Sequence, residues 1–128
     1  MDNLSPAATY LTVGIGGAAG SMARFAVAQA FLKFKPDNPF LAVAVVNLVG
    51  SLLIGLVAGH YAQKNAVEYL LLVVGFLGGF TTFSSFSLDL FAMIQRHLYA
   101  QAALFAASQV VLGIGGAALG FAVTSRPG

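Results

Sequence analysis

Long apolar runs separated by short polar clusters organise the 128 residues of this chain. A membrane-spanning helix needs about 20 apolar residues. Four runs reach that length, at roughly residues 7–31, 40–61, 66–95 and 99–123. Most charged residues lie between or outside these runs, and no other stretch is long enough for a soluble domain. The pattern therefore predicts an all-α membrane protein, with residues 1–128 forming a single domain of four transmembrane helices.

The third run contains an interruption that a simple membrane helix does not need. A glycine pair is followed by hydroxyl residues that alternate with phenylalanines, in the sequence GGFTTFSSFS at residues 78–87. Each glycine costs about 1 kcal/mol of helix propensity relative to alanine. Irregular backbone at membrane depth is tolerated only where protein or water covers it. The third helix is therefore predicted to be broken, and the break is predicted to serve a function.

Two different faces are predicted on the helix that resumes after this break. Phe83 and Phe86 stand three residues apart and share one face. Thr82, Ser85 and Asp89 form a separate polar stripe. Ordinary packing of the phenylalanines, and hydrogen bonding of the hydroxyls to the preceding turn, remain alternatives on the pattern alone.

Few polar residues lie inside the other three runs, and their roles are open. Arg24 either reaches the membrane surface from near its helix end or lies at a subunit interface or the mouth of an anion pathway. Asn47 either bonds a neighbouring helix, as buried amides in membranes usually do, or lines a pathway. Ser108 and Gln109 are the polar residues inside the fourth run.

Small residues in the first two runs predict close helix packing. Gly16 and Gly20 stand four residues apart, and Gly55 and Gly59 repeat that spacing. Such a spacing places the small residues on one helix face, along which a neighbouring backbone can approach closely.

Composition narrows the classes of function. The chain is 59% hydrophobic and 8% charged, with a mean hydropathy of +0.88, whereas soluble domains are about 45–50% apolar and 25% charged. Its six lysines and arginines are scattered, so they form no nucleic-acid-binding patch. The absence of cysteine excludes thiol catalysis. Because no nucleophile with a base in reach is visible, an enzyme is not expected.

The distribution of basic residues predicts that the chain inserts into the membrane in both orientations. With four spans, Lys64 and Arg126 lie on one side, and Lys33, Lys35 and Arg96 lie on the other. Two against three is almost no bias for either orientation. Two oppositely inserted copies are then expected to pair as an antiparallel, dual-topology homodimer, which resembles an inverted repeat made from two chains.

Motifs in three of the four runs match one known family. The first run has Gly16, Gly17 and Gly20 followed by Arg24, the second has the single Asn47, and the third has GGFTTFSSFS. In these features, and over nearly its whole length, the chain resembles the Fluc (CrcB-type) fluoride channels. The resemblance implies a fluoride-selective channel that exports fluoride passively across the bacterial inner membrane as an antiparallel homodimer with two pores.

The resemblance also implies particular site residues. A structural sodium ion at the dimer centre would be held by the backbone carbonyls of Gly78 and Thr81. The ring edges of Phe83 and Phe86 would contact fluoride. The polar residues along the pathway would be Asn47, Thr82, Ser84 and Ser85.

The chain departs from the family pattern at several positions. Asp89 stands where the family usually has a glutamate. In the fourth run, where members often carry tyrosine and serine hydroxyls, this chain has Phe105, Gln109 and Gly113. Gln109 is predicted to replace those hydroxyls.

Two other functions fit four short helices. A dual-topology multidrug exchanger would need a carboxylate deep in the first helix, and residues 7–31 contain no aspartate or glutamate. A membrane scaffold subunit without transport activity would fit the small-residue faces, but it would not need the threonine, serine and phenylalanine run.

Overall fold

The computed structural model of the protein describes residues 4–38, 40–61 and 67–125. Lys64 and Arg126, on which the orientation argument depends in part, lie outside these ranges. Four helical segments of the described chain are long and apolar enough to cross a membrane. They span Pro6–Phe34, Phe40–His60, Val67–Gln95 and Tyr99–Thr124. The prediction of an all-α protein with four spanning helices is confirmed.

The third span is divided into pieces, whereas each of the other spans is one helix. The first two spans are α1 (Pro6–Phe34) and α2 (Phe40–His60). The third contains α3 (Val67–Tyr69), a π-helix here called π1 (Leu70–Leu77), α4 (Gly78–Phe80) and α5 (Phe83–Gln95). The fourth is α6 (Tyr99–Thr124). The π-helix was not predicted.

The break in the third span lies at Thr81 and Thr82. Both residues have extended backbone, with ψ angles of 161° and 118°. The predicted bend is therefore confirmed, but the glycines are not where the chain unwinds. Gly78 is helical, with φ −61° and ψ −36°. A side chain at Gly79 would collide with the backbone of α1, so this glycine permits close packing.

The first half of the third span packs against α1 through backbone contacts. A Cβ atom at Gly16 would collide with π1, next to the Cα atom of Gly75. A Cβ atom at Gly20 would collide with the carbonyl group of Phe76. The small-residue face predicted at Gly16 and Gly20 is confirmed, and its partner is the first half of the third span.

The second and fourth spans form a separate pair. A Cβ atom at Gly55 would collide with the backbone of Ala117, and Gly120 lies equally close to the backbone of α2. At the end of this pair, the Thr124 hydroxyl donates a hydrogen bond to the carbonyl of Leu56, at 2.7 Å.

Two clusters of buried side chains lie on either side of the break. Val46, Leu77 and Phe80 form the first, near the end of the half that packs on α1. The second contains residues of α5 and α6, namely Phe86, Met93, Ala102 and Phe105. The break thus lies where the packing partner of the third span changes from α1 to α6, and α2 borders both halves.

Candidate functional site

Asn47 in α2 holds the main chain of the break. Its Oδ1 atom accepts a hydrogen bond from the N–H of Thr82, at 2.8 Å, and its Nδ2 atom donates to the carbonyl of Thr82, at 3.0 Å. A single side chain therefore satisfies both backbone groups of an extended residue that has no helical partners. This contact corresponds to the interhelical bond that was one of the two interpretations of Asn47.

Gln109 in α6 extends this network. Its Oε1 atom accepts a hydrogen bond from Nδ2 of Asn47, at 3.2 Å, and its Nε2 atom donates to the carbonyl of Ala44, at 3.4 Å. A continuous chain of hydrogen bonds thus connects the break in the third span to α6 and back to α2. Because it joins three spans, the chain of bonds fixes their relative positions around the break.

Arg24 in α1 binds the break from the other side. Its Nε atom donates to the carbonyl of Gly79, at 3.0 Å. A continuous helix would instead pair this carbonyl with the N–H of the residue four positions later, which is Phe83. An arginine inside the membrane is costly unless it is paired, and the carbonyl freed by the break supplies a partner.

The carbonyls of Gly78 and Thr81 lose their helical donors at the break. The N–H of Thr82, which would pair with Gly78, donates to Asn47. The N–H of Ser85, which would pair with Thr81, donates to the Thr82 hydroxyl, at 3.1 Å. Within the described chain, these two carbonyls therefore have free acceptor capacity. Carbonyl oxygens are suitable ligands for a hard cation, so the residues present fit the implied sodium ion.

Thr82 also caps the helix that follows. Its hydroxyl accepts a hydrogen bond from the N–H of Ser85, as the side chain of an N-cap residue does. The same hydroxyl lies 3.3 Å from the hydroxyl of Ser84. The Thr81 hydroxyl instead donates to the carbonyl of Leu77, at 2.9 Å. Hydrogen bonding to the preceding turn thus applies to Thr81, whereas Thr82 is the N-cap of α5.

A cavity of about 370 Å³ opens beside the break. It brings together seven of the residues singled out from the sequence, and they come from α2, the third span and α6. These seven are Asn47, Gly78, Thr81, Thr82, Phe83, Phe86 and Gln109. Amide, hydroxyl and carbonyl groups therefore border the same space as two aromatic rings.

The two phenylalanine rings have different surroundings. The ring centroids of Phe83 and Phe86 are 5.9 Å apart, with an angle of 52° between the ring planes. Phe83 is 78% exposed in the single chain, whereas Phe86 is 8% exposed. Phe86 meets Phe105 of α6 edge to face, with centroids 5.1 Å apart. Phe86 is thus held between neighbouring rings, whereas most of the Phe83 side chain is exposed.

Ser84, Ser85 and Asp89 do not border this cavity. Ser85 lines a smaller space of about 80 Å³ together with Arg24. Asp89 lines a third space of about 190 Å³ near the other end of α5, together with Arg96. One carboxylate oxygen of Asp89 is buried and has no hydrogen-bond partner in the part of the chain that the structure describes. Thr82 also borders the space that Ser85 lines, so two members of the predicted polar stripe share one space and Asp89 lies apart from them.

Sequence reasoning missed Ser51, which borders the large cavity. Ser51 follows Asn47 by four residues, which places both side chains on the same face of α2. That spacing was the signal that could have identified it. Gly50, beside it, lies against the side chain of Thr81, so α2 approaches the break closely here.

Comparison with models of protein families assigns the chain to one family. A family model described as CrcB-like protein, Camphor Resistance (CrcB), matches residues 11–121. The chain belongs to the CrcB family. The match covers most of the four spans, and it confirms the resemblance to Fluc (CrcB-type) channels that the motifs indicated.

Curated CrcB relatives carry the name fluoride-specific ion channel FluC. The protein of Francisella tularensis subsp. mediasiatica is 47% identical over 93 residues, covering 67% of this chain and 71% of its own length. That of Nitrobacter winogradskyi is 44% identical over 109 residues, covering 82% and 86%. That of Caulobacter sp. is 38% identical over 120 residues, covering 91% and 94%. These names describe channels, in agreement with the expectation that this multi-pass membrane protein is not an enzyme.

Proposed function

We propose that this chain is a fluoride-selective channel that exports fluoride passively across the bacterial inner membrane and thereby relieves fluoride toxicity. The observation that carries the proposal is the broken third span beside a cavity with hydrogen-bond donors. Membership in the CrcB family and the names of the curated relatives support it.

The chemistry of the cavity suits a small, strongly hydrated anion. A pore for such an ion must replace its water with hydrogen-bond donors, and its sites must be weak enough to release it. The cavity offers hydroxyl and amide groups and is bordered by Phe83, at the N-terminus of α5. A helix N-terminus carries partial positive charge and free N–H groups. No charged side chain among the described residues borders this cavity, so none traps the anion.

The aromatic residues add a second kind of contact for the anion beside the polar groups. The edge of an aromatic ring carries partial positive charge, so an anion in the plane of the Phe83 or Phe86 ring is attracted to it. Thr82, Ser84 and Ser85 supply hydroxyls near the start of α5, and Arg24 raises the local positive potential from α1. We assign the pathway to these residues together with Asn47 and Gln109.

We further propose that two copies assemble as an antiparallel homodimer around a structural sodium ion. Each copy would contribute the free carbonyls of Gly78 and Thr81, so that four oxygens surround the cation. The exposure of Gly78 and Phe83 in the single chain supports a partner on this side. The ion would stabilise unwound carbonyls that lipid cannot hydrogen-bond.

Ion flux from liposomes tests the proposal. Purified protein is reconstituted with internal fluoride or chloride, and efflux is followed with ion-selective electrodes. We expect fluoride release well above that of protein-free liposomes, little chloride release, and lower fluoride flux when potassium replaces sodium throughout. Chloride efflux as fast as fluoride efflux, or no fluoride efflux, would contradict the channel assignment. Sodium-independent flux would contradict the cation site.

Labelling of a single cysteine tests the orientation. The chain has no cysteine, so Ser125→Cys introduces one thiol at the end of α6. In intact cells, a membrane-impermeant thiol reagent should label about half of the copies if both orientations insert equally. Complete labelling, or none at all until the cells are lysed, would overturn the antiparallel dimer.

A further inference from the structure

We infer that Arg24 is a positioning residue for the cation site at the break. Its Nε–H group, rather than its charge, holds the end of α4 in the form in which the Gly78 carbonyl can bind sodium. This inference deepens the proposed function and rests on the proposed sodium ion. It assigns to a side chain of the first span a role in the affinity for a cation that the third span would bind.

The end of α4 has no support from its own helix. The last C=O groups of a helix have no donor within that helix, and α4 ends at Phe80, just before the extended Thr81. Two of its three residues are glycines, Gly78 and Gly79. Glycine restricts the backbone torsions least, so this turn unwinds easily unless another part of the protein holds it.

Support for this turn comes from α1. The Nε atom of Arg24 donates to the carbonyl of Gly79, at 3.0 Å. Basic side chains are favoured at this end of a helix, where they bond the last carbonyls and meet partial negative charge. A Cβ atom at Gly79 would also collide with the carbonyl of Gly17 and lie 3.1 Å from the N atom of Ser21. The first span therefore fixes both the position of Gly79 and the direction of its carbonyl.

The carbonyl that Arg24 binds directly follows the one proposed for the cation. Within the described chain, the Gly78 carbonyl keeps its acceptor capacity, because the N–H of Thr82 donates to Asn47. With the Gly79 carbonyl bound to Arg24, the turn stays helical and Gly78 stays in place. Arg24 thus prevents the end of α4 from unwinding and takes up a different carbonyl from the one left for the cation.

The two properties of Arg24 act on a nearby cation in opposite directions. Its positive charge repels sodium. Its hydrogen bond keeps the turn ordered, and a site that is ordered before binding does not lose conformational freedom when the ion arrives. Residues that orient metal ligands in this way change metal affinity by about 10–100-fold. Removal of the charge alone and removal of the hydrogen bond as well should therefore have different effects.

Arg24→Gln and Arg24→Met separate these two properties. The Nε2 atom of glutamine occupies the same place along the side chain as Nε of arginine, so Arg24→Gln keeps an N–H donor for Gly79 and loses the charge. Methionine has neither the donor nor the charge. We expect Arg24→Met to need about tenfold more sodium than Arg24→Gln for half of the full stabilisation. Arg24→Gln should need no more sodium than the wild type.

Thermal unfolding measures the affinity for sodium without measuring flux. Purified protein in detergent is titrated with sodium, and potassium replaces it at constant ionic strength. An ion that binds only the folded state stabilises that state increasingly as its concentration rises above the dissociation constant. Arg96→Met is the matched control, because Arg96 lies at the other end of α5 and borders a different space. Its sodium titration should match that of the wild type.

NMR of the arginine side chains tests the inference in the wild type, even if Arg24→Met does not fold. The protein is labelled with ¹⁵N, and the Nε–H signal of Arg24 is identified by its absence in Arg24→Gln. We expect this signal to shift when sodium replaces potassium, because the carbonyl that it binds adjoins the cation site. The Nε–H signal of Arg96 should not shift.

The outcomes separate this inference from the proposals on which it rests. Equal sodium titrations in Arg24→Gln and Arg24→Met, or an Arg24 signal that does not respond to sodium, would overturn this inference alone. A wild-type protein that sodium does not stabilise would overturn the proposed cation site and this inference with it. Fluoride efflux from liposomes tests the channel assignment independently of both.

Discussion

The two halves of the third span are held in opposite ways. Before the break, π1 and α4 lie against α1 with glycines on both sides, so that backbone meets backbone. After the break, α5 packs against α6 through the rings of Phe86 and Phe105. The first contact leaves no space for a side chain, whereas the second is made by side chains next to a cavity.

The difference shows how a short chain can keep a broken helix in a membrane. The glycine contact holds one half rigidly against α1, and the polar contacts of Asn47 and Arg24 satisfy the main chain where it is extended. The aromatic half is then free to line a cavity. Four predictions test this division, from the largest expected effect to the smallest.

Gly20→Leu should prevent folding. A side chain at this position would meet the backbone of the third span, which cannot move without losing the contact with α1. Gly14→Leu is the matched control on the same helix, since a Cβ atom there would have no neighbour within 4 Å. We expect monodisperse protein in detergent only for the control. Folded Gly20→Leu with wild-type thermal stability would refute the backbone contact.

Asn47→Leu should destabilise the protein at the break in the third span. Both backbone groups of Thr82 would lose their partner, at a cost of about 1–3 kcal/mol for each buried unsatisfied group. The unfolding temperature should therefore fall strongly, and fluoride flux should fall with it. Ser51→Ala, on the same helix face, is the control for stability and should keep an unfolding temperature near that of the wild type. An unchanged unfolding temperature in Asn47→Leu would show that the clamp is not needed.

Phe86→Ile and Phe83→Ile should both affect conduction, but only Phe86→Ile should affect stability. Phe86 loses its edge-to-face contact with Phe105, which is worth about 0.5–1.5 kcal/mol, whereas the exposed Phe83 loses no such buried contact. We expect lower fluoride flux in both variants and lower thermal stability only in Phe86→Ile. Unchanged flux in both would remove the ring edges from the pathway.

Thr82→Val and Ser84→Ala should each lower the free energy of unfolding by about 1 kcal/mol or less. Thr82→Val removes the hydroxyl that caps α5, which costs about 1 kcal/mol. Ser84→Ala removes one exposed hydroxyl contact and should change the free energy of unfolding by less than about 0.5 kcal/mol. Chemical denaturation of the two variants measures the difference. Equal effects would show that the Thr82 hydroxyl has no capping role.

The sequence was sufficient to predict the four spans, because run length and hydropathy are local properties. The existence of the break also followed from a local signal, the glycine pair and the hydroxyl run. Its location at Thr81 and Thr82 did not, since it depends on Asn47 and Arg24 in other helices.

The candidate site was predictable in part. Sequence reasoning identified seven of the thirteen residues that border the large cavity, but it also included Ser84 and Ser85, which do not border it. The contact between Asn47 and Gln109 joins residues 62 positions apart, and no single-sequence pattern encodes such a pairing. The π-helix likewise had no local signal, because its residues are ordinary apolar ones.

The hydrogen bonds between Asn47 and Thr82 use the main-chain N–H and carbonyl of Thr82, a pair of groups that every residue apart from proline carries. The bonds from Asn47 therefore do not require a threonine side chain at this position, although the cap of α5 uses its hydroxyl. An engineer could exchange that side chain to alter which ions pass, with the bend itself retained.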